Sequence, residues 1–272
     1  MTHDATPFVK WVGGKRSIMD ELIKRCPKSF GTYWEPFVGG GALFFALRQQ
    51  LKEAVLSDLN LDLIIAYKAI QREPDALIKE LKLFARRHSE EFYYQIRNQH
   101  EQDEPLRVAA RLLYLNKTCY NGLWRVNSKG QFNVPVGRYD NPDIVQEENV
   151  RACHKTLQGI SIEYGEFSRI TPRRGDFVYF DPPYHPTDST AFTEYEKSGF
   201  TETNQKALHD FALSLHKKGV FVMLSNSDTD YIRALYSEKA FKVETVQAPR
   251  MVNCKSNKRN NVNELLIRTF DA

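Results

Sequence analysis

Hydrophobic and polar positions follow two different rhythms along this chain. Near its start, SIMDELIKRC has helical spacing, and YWEPFVGGGALFFALRQQ then gives a strand end, a glycine turn and a buried helix. EAVLSDL predicts a short apolar strand ending in an acid, Asp58. From Gly175, GDFVYFDPPY predicts a strand that opens into a proline-rich loop. TNQKALHDFALSLHKKG predicts an amphipathic helix stopped by Gly219, and GVFVMLSNS a second buried strand. DTDYIRALYSEKA predicts a helix that Asp228 can cap, with FKVETVQ and NELLIRTF as two further strands. Strands alternating with helices predict an α/β fold whose mostly parallel sheet is covered on both faces.

Residues from about 62 to 155 break that rhythm. PDALIKELKLFARRH and PLRVAARLLYLNK are helical, each opened by a proline where the missing N–H costs nothing. The stretch YNGLWRVNSKGQFNVPVGRYD is loop-like, and Tyr120, Trp124, Arg125, Lys129, Phe132, Arg138 and Tyr139 interleave aromatic with basic side chains. This organisation predicts a domain of residues 62–155 inserted into a second domain formed by 1–61 and 156–272.

Composition narrows the class. The 272 residues are 42% hydrophobic and 26% charged, as in ordinary globular proteins. No apolar run approaches the roughly 20 residues that span a bilayer. MTHDATPFVKW lacks the layout of a signal peptide, and the four cysteines are widely spaced with no CxxC pair. A reduced cytoplasmic protein without bound metal is expected. A net charge of +4 tilts weakly towards polyanionic partners. The acid-free stretch APRMVNCKSNKRNNV, with Arg250, Lys255, Lys258 and Arg259, suits phosphate contacts, although a solvated loop before the last strand has the same composition.

Two constellations carry chemistry. In Glu35-Pro36-Phe37-Val38-Gly39-Gly40-Gly41, a glycine run between strand and helix lets a ligand approach the backbone. Such turns often serve packing alone. Asp58, about 20 residues on at the end of the next strand, strengthens the signal, since an acid there can accept from both ribose hydroxyls of an adenosyl group. The glycines are contiguous rather than spaced GxGxxG, which disfavours a dinucleotide. Asp58 can equally cap the helix LDLIIAYKAI.

Asp181-Pro182-Pro183-Tyr184 lies at the carboxyl end of the strand FVYF, where ligands bind in open α/β sheets. An adenine amine has two N–H donors and a lone pair delocalised into the ring. A site that activates it must accept both donors and offer none. The Asp181 carboxylate and the Pro182 carbonyl are acceptors, Pro182 and Pro183 have no N–H, and Tyr184 offers a face for stacking a purine. A rigid exposed loop is the alternative for these four residues taken alone.

The chain resembles, nearly end to end, the Dam-type family of DNA adenine methyltransferases that recognise GATC. Phe8-Val9-Lys10-Trp11-Val12-Gly13-Gly14-Lys15 resembles the family's FxKWxGGK signature, EPFVGGGALFF its glycine motif and Asp58 its ribose-binding acid. DPPY followed by Phe192-Thr193-Glu194-Tyr195 and Phe200 resembles its catalytic loop. LNKTCYNGLWR and FNVP resemble LNRxxYNGLxR and FNVP. The resemblance implies a Rossmann-like class I S-adenosylmethionine-dependent methyltransferase sheet with an inserted helical and loop DNA-recognition domain. Asp181, Pro182, Pro183 and Tyr184 would form the reaction centre. Trp11, Lys15, Glu35, Pro36, Phe37, Gly39, Gly40, Gly41, Asp58 and Asp181 would line the site of S-adenosyl-L-methionine.

The resemblance further implies that Tyr120 and Asn121 wedge into duplex DNA and fill the gap left by a flipped adenine. Arg125 would recognise a guanine edge, Lys10 the other guanine, and Leu123 and Pro135 a thymine methyl. Arg138, Lys255, Lys258 and Arg259 would add contacts to DNA. Lys117 and Trp124 depart from the family pattern, where Arg or similar side chains stand. Methylation of cytosine's amine or of adenine in RNA is a rival within the class, and a DNA-binding regulator on an inactive methyltransferase fold is a rival outside it. A monomer is expected. Among residues near the chemistry, His185 is expected at the rim and Phe44-Phe45 in the core, while Ser225-Asn226-Ser227 is expected to end a strand on the cofactor side, with the start of the following helix as its alternative.

Overall fold

A computed structural model describes residues 4–11, 13–99, 104–127, 129–187, 200–248 and 262–271. In chain order its elements begin with α1 (Met19–Lys24), β1 (Tyr33–Glu35), α2 (Ala42–Leu47) and β2 (Ala54–Asp58). The helices α3 (Leu61–Arg72), α4 (Pro74–Arg87), α5 (Glu90–Asn98), α6 (Pro105–Thr118) and α7 (Glu147–Thr156) follow. The chain then runs through β3 (Ser161–Tyr164), β4 (Phe177–Phe180), α8 (Glu202–Lys217), β5 (Phe221–Ser227), α9 (Asp230–Leu235), β6 (Lys242–Ala248) and β7 (Val262–Arg268). Packing divides it into two compact units. The first comprises Met1–Gly14, Gly39–Arg48 and Asp58–Tyr164; the second comprises Lys15–Val38, Gln49–Ser57 and Gly165–Ala272. Residues 62–155 fall wholly within the first.

In the second unit six strands lie side by side in the order β2-β1-β4-β5-β7-β6. β1 pairs in parallel with β2 and β4, and β4 with β5. β7 runs antiparallel between β5 and β6, with Ile267 opposite both Leu224 and Val243. Every residue of β4 is buried, as the continuous apolar run FVYF requires of a central strand. Leu208, Ala212 and Leu215 of α8, spaced i, i+4, i+7, form one stripe in a core with Val178, Phe180, Val222 and Leu224. Each of the larger side chains contributes about 1.5–3 kcal/mol by leaving water. A capping box of Thr201 and Asn204 opens α8, and Gly219 follows its end with φ +77°, the left-handed stop expected of it. The expected Asp228 cap of α9 is corrected: Thr229 accepts from the Ile232 N–H, while Asp228 is held by Arg233 at 2.6 Å.

The first unit is helical. Leu77, Ile78, Leu81 and Phe84 form the buried stripe of α4, and α3 packs mainly against α6. Tyr67, Tyr93 and Tyr114 are fully buried. Each hydroxyl has a partner: the Gly39 carbonyl at 3.1 Å, the Val134 carbonyl at 2.9 Å and His88 Nδ1 at 2.8 Å. These bonds tie the glycine turn and the loop after α6 to the helices, since an unpaired buried hydroxyl would cost about 1–3 kcal/mol. Proline opens both α4 and α6 as expected.

Candidate active site and recognition loop

The end of β4 delivers Asp181 into a charged cluster within the second unit. Lys15, itself buried, places Nζ 2.9 Å from Asp181 Oδ1 and 4.6 Å from the centre of the Tyr184 ring. The Tyr184 hydroxyl donates to Glu264 Oε2 on β7 at 2.8 Å. Burial pushes the Asp181 carboxyl above its ordinary pKa, Lys15 opposes that rise, and Glu264 adds to it. An ionised carboxylate has about four acceptor directions, more than one ammonium uses, so Asp181 can accept from a substrate donor as well as from Lys15. Glu35 and Pro36 are buried and Phe37 is half-buried. Glu35 accepts from the Tyr33 hydroxyl at 2.8 Å, and Phe37 packs against Phe167, Phe180 and Phe200.

The segment after DPPY differs from expectation. His185 is buried rather than at the rim, stacked on Tyr231 with ring centres 4.7 Å apart and bonded to Thr229 and Glu202. Ser225-Asn226-Ser227 forms the buried end of β5, as the strand expected there requires, and Thr229 rather than this run opens α9. Its side chains hold the loop: Ser225 pairs with Tyr179 at 2.7 Å, Asn226 accepts from the His185 N–H at 3.1 Å, and Ser227 donates to the His185 carbonyl. Gln205 of α8 joins this group and had no sequence signal beyond its place in an amphipathic helix.

In the first unit the glycine turn forms a cradle. Asp58 Oδ2 accepts from the Gly39 N–H at 3.0 Å and Oδ1 from the Asn60 N–H at 2.9 Å. Burial raises the pKa of Asp58 while these N–H groups oppose the rise. The alternative role of Asp58 as a helix cap is corrected, because Asn60 caps α3 by accepting from Leu63 N–H. Gly39 and Gly41 have φ of +46° and +67°. A side chain on Gly39 would meet Trp11 Cδ1 at 2.7 Å, so the indole lies directly against the turn. Trp11 also stacks on Trp124 at 6.0 Å, and Trp124 packs on Phe132 at 4.7 Å. Phe44 is buried and contacts Phe45 edge-on at 5.2 Å.

The loop after α6 folds back as a hairpin. Cys119 bridges to Val136 and Val126 to Phe132, while Tyr120 N–H donates to the Pro135 carbonyl at 2.9 Å. Asn127 Oδ1 closes the tip by accepting from the N–H groups of Lys129 and Gln131. Gly122, Phe132 and Val134 face inwards; Tyr120, Asn121, Leu123, Arg125, Pro135 and Arg138 are all exposed. Asn121 has φ +55°, unusual without glycine, and Arg125 Nε donates to Asn133 at 2.8 Å. Lys10 is exposed beside this hairpin: the buried Asn116 amide accepts from its N–H at 2.8 Å and donates to its carbonyl at 2.7 Å. Its ammonium lies 5.1 Å from the Tyr139 ring centre. The structure thus gathers the expected DNA-contacting residues of this unit on one hairpin and on the irregular segment around Lys10 beside it.

Lys255, Lys258, Arg259, Arg250 and the run Phe192–Tyr195 lie outside the described residues. Among the described residues no group of His, Cys, Asp or Glu could hold a metal ion, and no helix is long and apolar enough to cross a membrane.

The sequence pattern of the D12 class N6 adenine-specific DNA methyltransferases matches residues 11–252. The type II methyltransferase M.MjaIII of Methanocaldococcus jannaschii is 41% identical over 98% of this chain and 100% of its own length. DNA adenine methylase of Vibrio cholerae is 37% identical over 95% of the chain and 94% of its own, and that of Escherichia coli 35% identical over 95% and 93%. A match that runs through the DPPY strand, the glycine turn and the hairpin together settles the class: the chain belongs to the D12 class of N6 adenine-specific DNA methyltransferases.

Proposed function

We propose that this adenine-specific DNA methyltransferase uses S-adenosyl-L-methionine to methylate adenine within GATC, after the base has flipped out of the duplex onto Asp181-Pro182-Pro183-Tyr184. The observation that carries the reaction centre is the environment of Asp181: a carboxylate at the end of a buried strand, followed by a proline carbonyl and a tyrosine ring, with Lys15 Nζ 2.9 Å from its Oδ1. Asp181 and the Pro182 carbonyl accept the two amine N–H groups and so localise the nitrogen lone pair. Tyr184, held by Glu264, supplies the stacking face. The amine becomes cationic and acidic once methylated, and Asp181 or water then takes its proton. Asp181 therefore acts first as acceptor and only afterwards as proton sink.

The residues of the first unit fit an adenosyl group. Each Asp58 oxygen uses one direction for a backbone N–H and keeps another for a ribose hydroxyl, and the missing side chain at Gly39 lets the Trp11 indole lie directly against the turn. Bound there, S-adenosyl-L-methionine supplies an electrophilic methyl on sulfur. The exposed set Tyr120, Asn121, Leu123, Arg125 and Pro135, with Lys10, supports the recognition role of residues 62–155: Tyr120 and Asn121 as wedge, Arg125 and Lys10 on guanines, Leu123 and Pro135 on a thymine methyl. The monomeric state and cytoplasmic location expected from the sequence are part of this proposal. Digestion of DNA from expressing cells tests the site: DNA resistant to an endonuclease blocked by adenine methylation at GATC is expected, and full cleavage would overturn the GATC assignment.

A further inference from the structure

DPPY poses a mechanical problem for its own loop. Pro182 and Pro183 have no N–H, so the backbone after Asp181 has no donor of its own until Tyr184. A loop that must hold two acceptors against a substrate amine therefore needs to be fixed from outside. Two amides from neighbouring elements do this. Gln205 on α8 and Asn226 on β5 are both 0% exposed. Gln205 Nε2 donates to the Pro183 carbonyl at 3.0 Å, and Gln205 Oε1 accepts from Asn226 Nδ2 at 3.0 Å. Asn226 Oδ1 accepts from the backbone N–H of His185 at 3.1 Å and of Ser227 at 2.9 Å.

The direction of this relay is forced. Two backbone N–H groups point at one end of the Asn226 amide, so that end must be its oxygen. Its nitrogen then faces Gln205 Oε1, which turns Gln205 Nε2 towards Pro183. The relay thus grips the loop at Pro183 and at His185, one residue before and one after Tyr184. It engages the Pro183 carbonyl, whereas no hydrogen bond to the Pro182 carbonyl occurs among the described residues. Buried amides cost free energy unless their bonds are made, and these four bonds satisfy donors and acceptors that apolar side chains would not have carried.

We propose that Gln205 and Asn226 are positioning residues for methyl transfer: they take up the Pro183 carbonyl, leave the Pro182 carbonyl to the substrate amine and fix the Tyr184 ring between their two anchor points. This rests on DPPY being the reaction centre. The test is the single-turnover rate of methyl transfer to a GATC duplex at saturating DNA and cofactor, alongside Kd values for each and urea unfolding. Asn226→Asp keeps the acceptor for His185 and Ser227 but loses the donor to Gln205; Gln205→Met removes the donor to Pro183 without adding charge. Each variant is expected to slow transfer about 10- to 100-fold, since displacement of a reacting group by about an ångström costs that much. Kd values should stay within about threefold. The double variant should be little slower than the slower single variant, because links of one relay are not additive. Wild-type rates in both single variants would overturn the proposal, as would slow transfer matched by equal loss of DNA or cofactor affinity. If the Asp181→Ala control still transfers methyl, the reaction centre itself is wrong; an inactive control beside fully active relay variants overturns the relay alone.

Discussion

Replacing Gly39 by alanine probes the cradle where two constraints meet. Gly39 has φ +46°, a left-handed conformation that costs an L-residue about 1–2 kcal/mol. The added Cβ would stand 2.7 Å from Trp11 Cδ1, 3.1 Å from Nε1 and 3.4 Å from Cγ, so the indole must move or the turn must. The turn resists, because Gly39 N–H is bonded to Asp58 and its carbonyl to the Tyr67 hydroxyl. Overpacking of this kind costs about 1–3 kcal/mol. The sum, about 2–5 kcal/mol, is a large share of a typical folding free energy of about 5–15 kcal/mol. Gly159→Ala separates the two contributions, since Gly159 has φ +75° and nothing within 4 Å of the added Cβ. Urea unfolding should show Gly39→Ala losing more than Gly159→Ala by the overpacking term. Calorimetric titration with S-adenosylhomocysteine should show at least about tenfold weaker binding, or 1.4 kcal/mol, for Gly39→Ala and unchanged binding for Gly159→Ala. Equal unfolding of the two variants, or undiminished binding by Gly39→Ala, would refute the packing of Trp11 on this turn.

Three further outcomes follow from the same geometry. Burial raises the Asp181 pKa and Lys15 opposes the rise, so Lys15→Met should raise it further. Protonation weakens Asp181 as an acceptor and gives it a competing O–H donor, so the acid limb of kcat/KM for DNA should move to higher pH; an unmoved limb would dissociate Asp181 from the chemistry. Arg125→Ala should relax discrimination at one guanine by about 1–3 kcal/mol in competition between matched and mismatched duplexes, with other positions unchanged. Burial pushes the thiols of Cys26 and Cys153 up to about 12 and of Cys119 to about 11. All three should escape brief alkylation at pH 8 in the native protein and react after unfolding, as peptide mass spectrometry would show.

Much of this was legible in the sequence because the strongest signals are local. Continuous apolar runs marked β4 and β5, prolines marked the starts of α4 and α6, and Gly219 marked the end of α8. Short motifs also carried their own chemistry: acceptors without donors in DPPY, glycines beside an acid in the cradle. The missed features depend on partners distant in the chain. α5 and α7 are short and strongly polar, and α5 is finished by Arg111 of α6 donating to the Ile96 and Arg97 carbonyls. Competing caps are not decided by sequence either. Asp58 and Asn60 are equally good capping residues and Asp228 is a better one than Thr229, yet Asp58 is bonded to Gly39 and Asp228 to Arg233, and Asn60 and Thr229 make the caps. His185, Gln205 and Asn226 are polar residues that resemble surface positions until β5 and α8 close over them. The antiparallel insertion of β7 between β5 and β6 is likewise invisible in a strand's own pattern.

The most direct test of the account is the fate of a labelled methyl group. Purified protein, labelled S-adenosyl-L-methionine and a duplex bearing a single GATC should yield label in N6-methyladenine at that adenine, and Asp181→Ala should yield none. Label in cytosine, label at adenines outside GATC, or undiminished transfer by Asp181→Ala would contradict it.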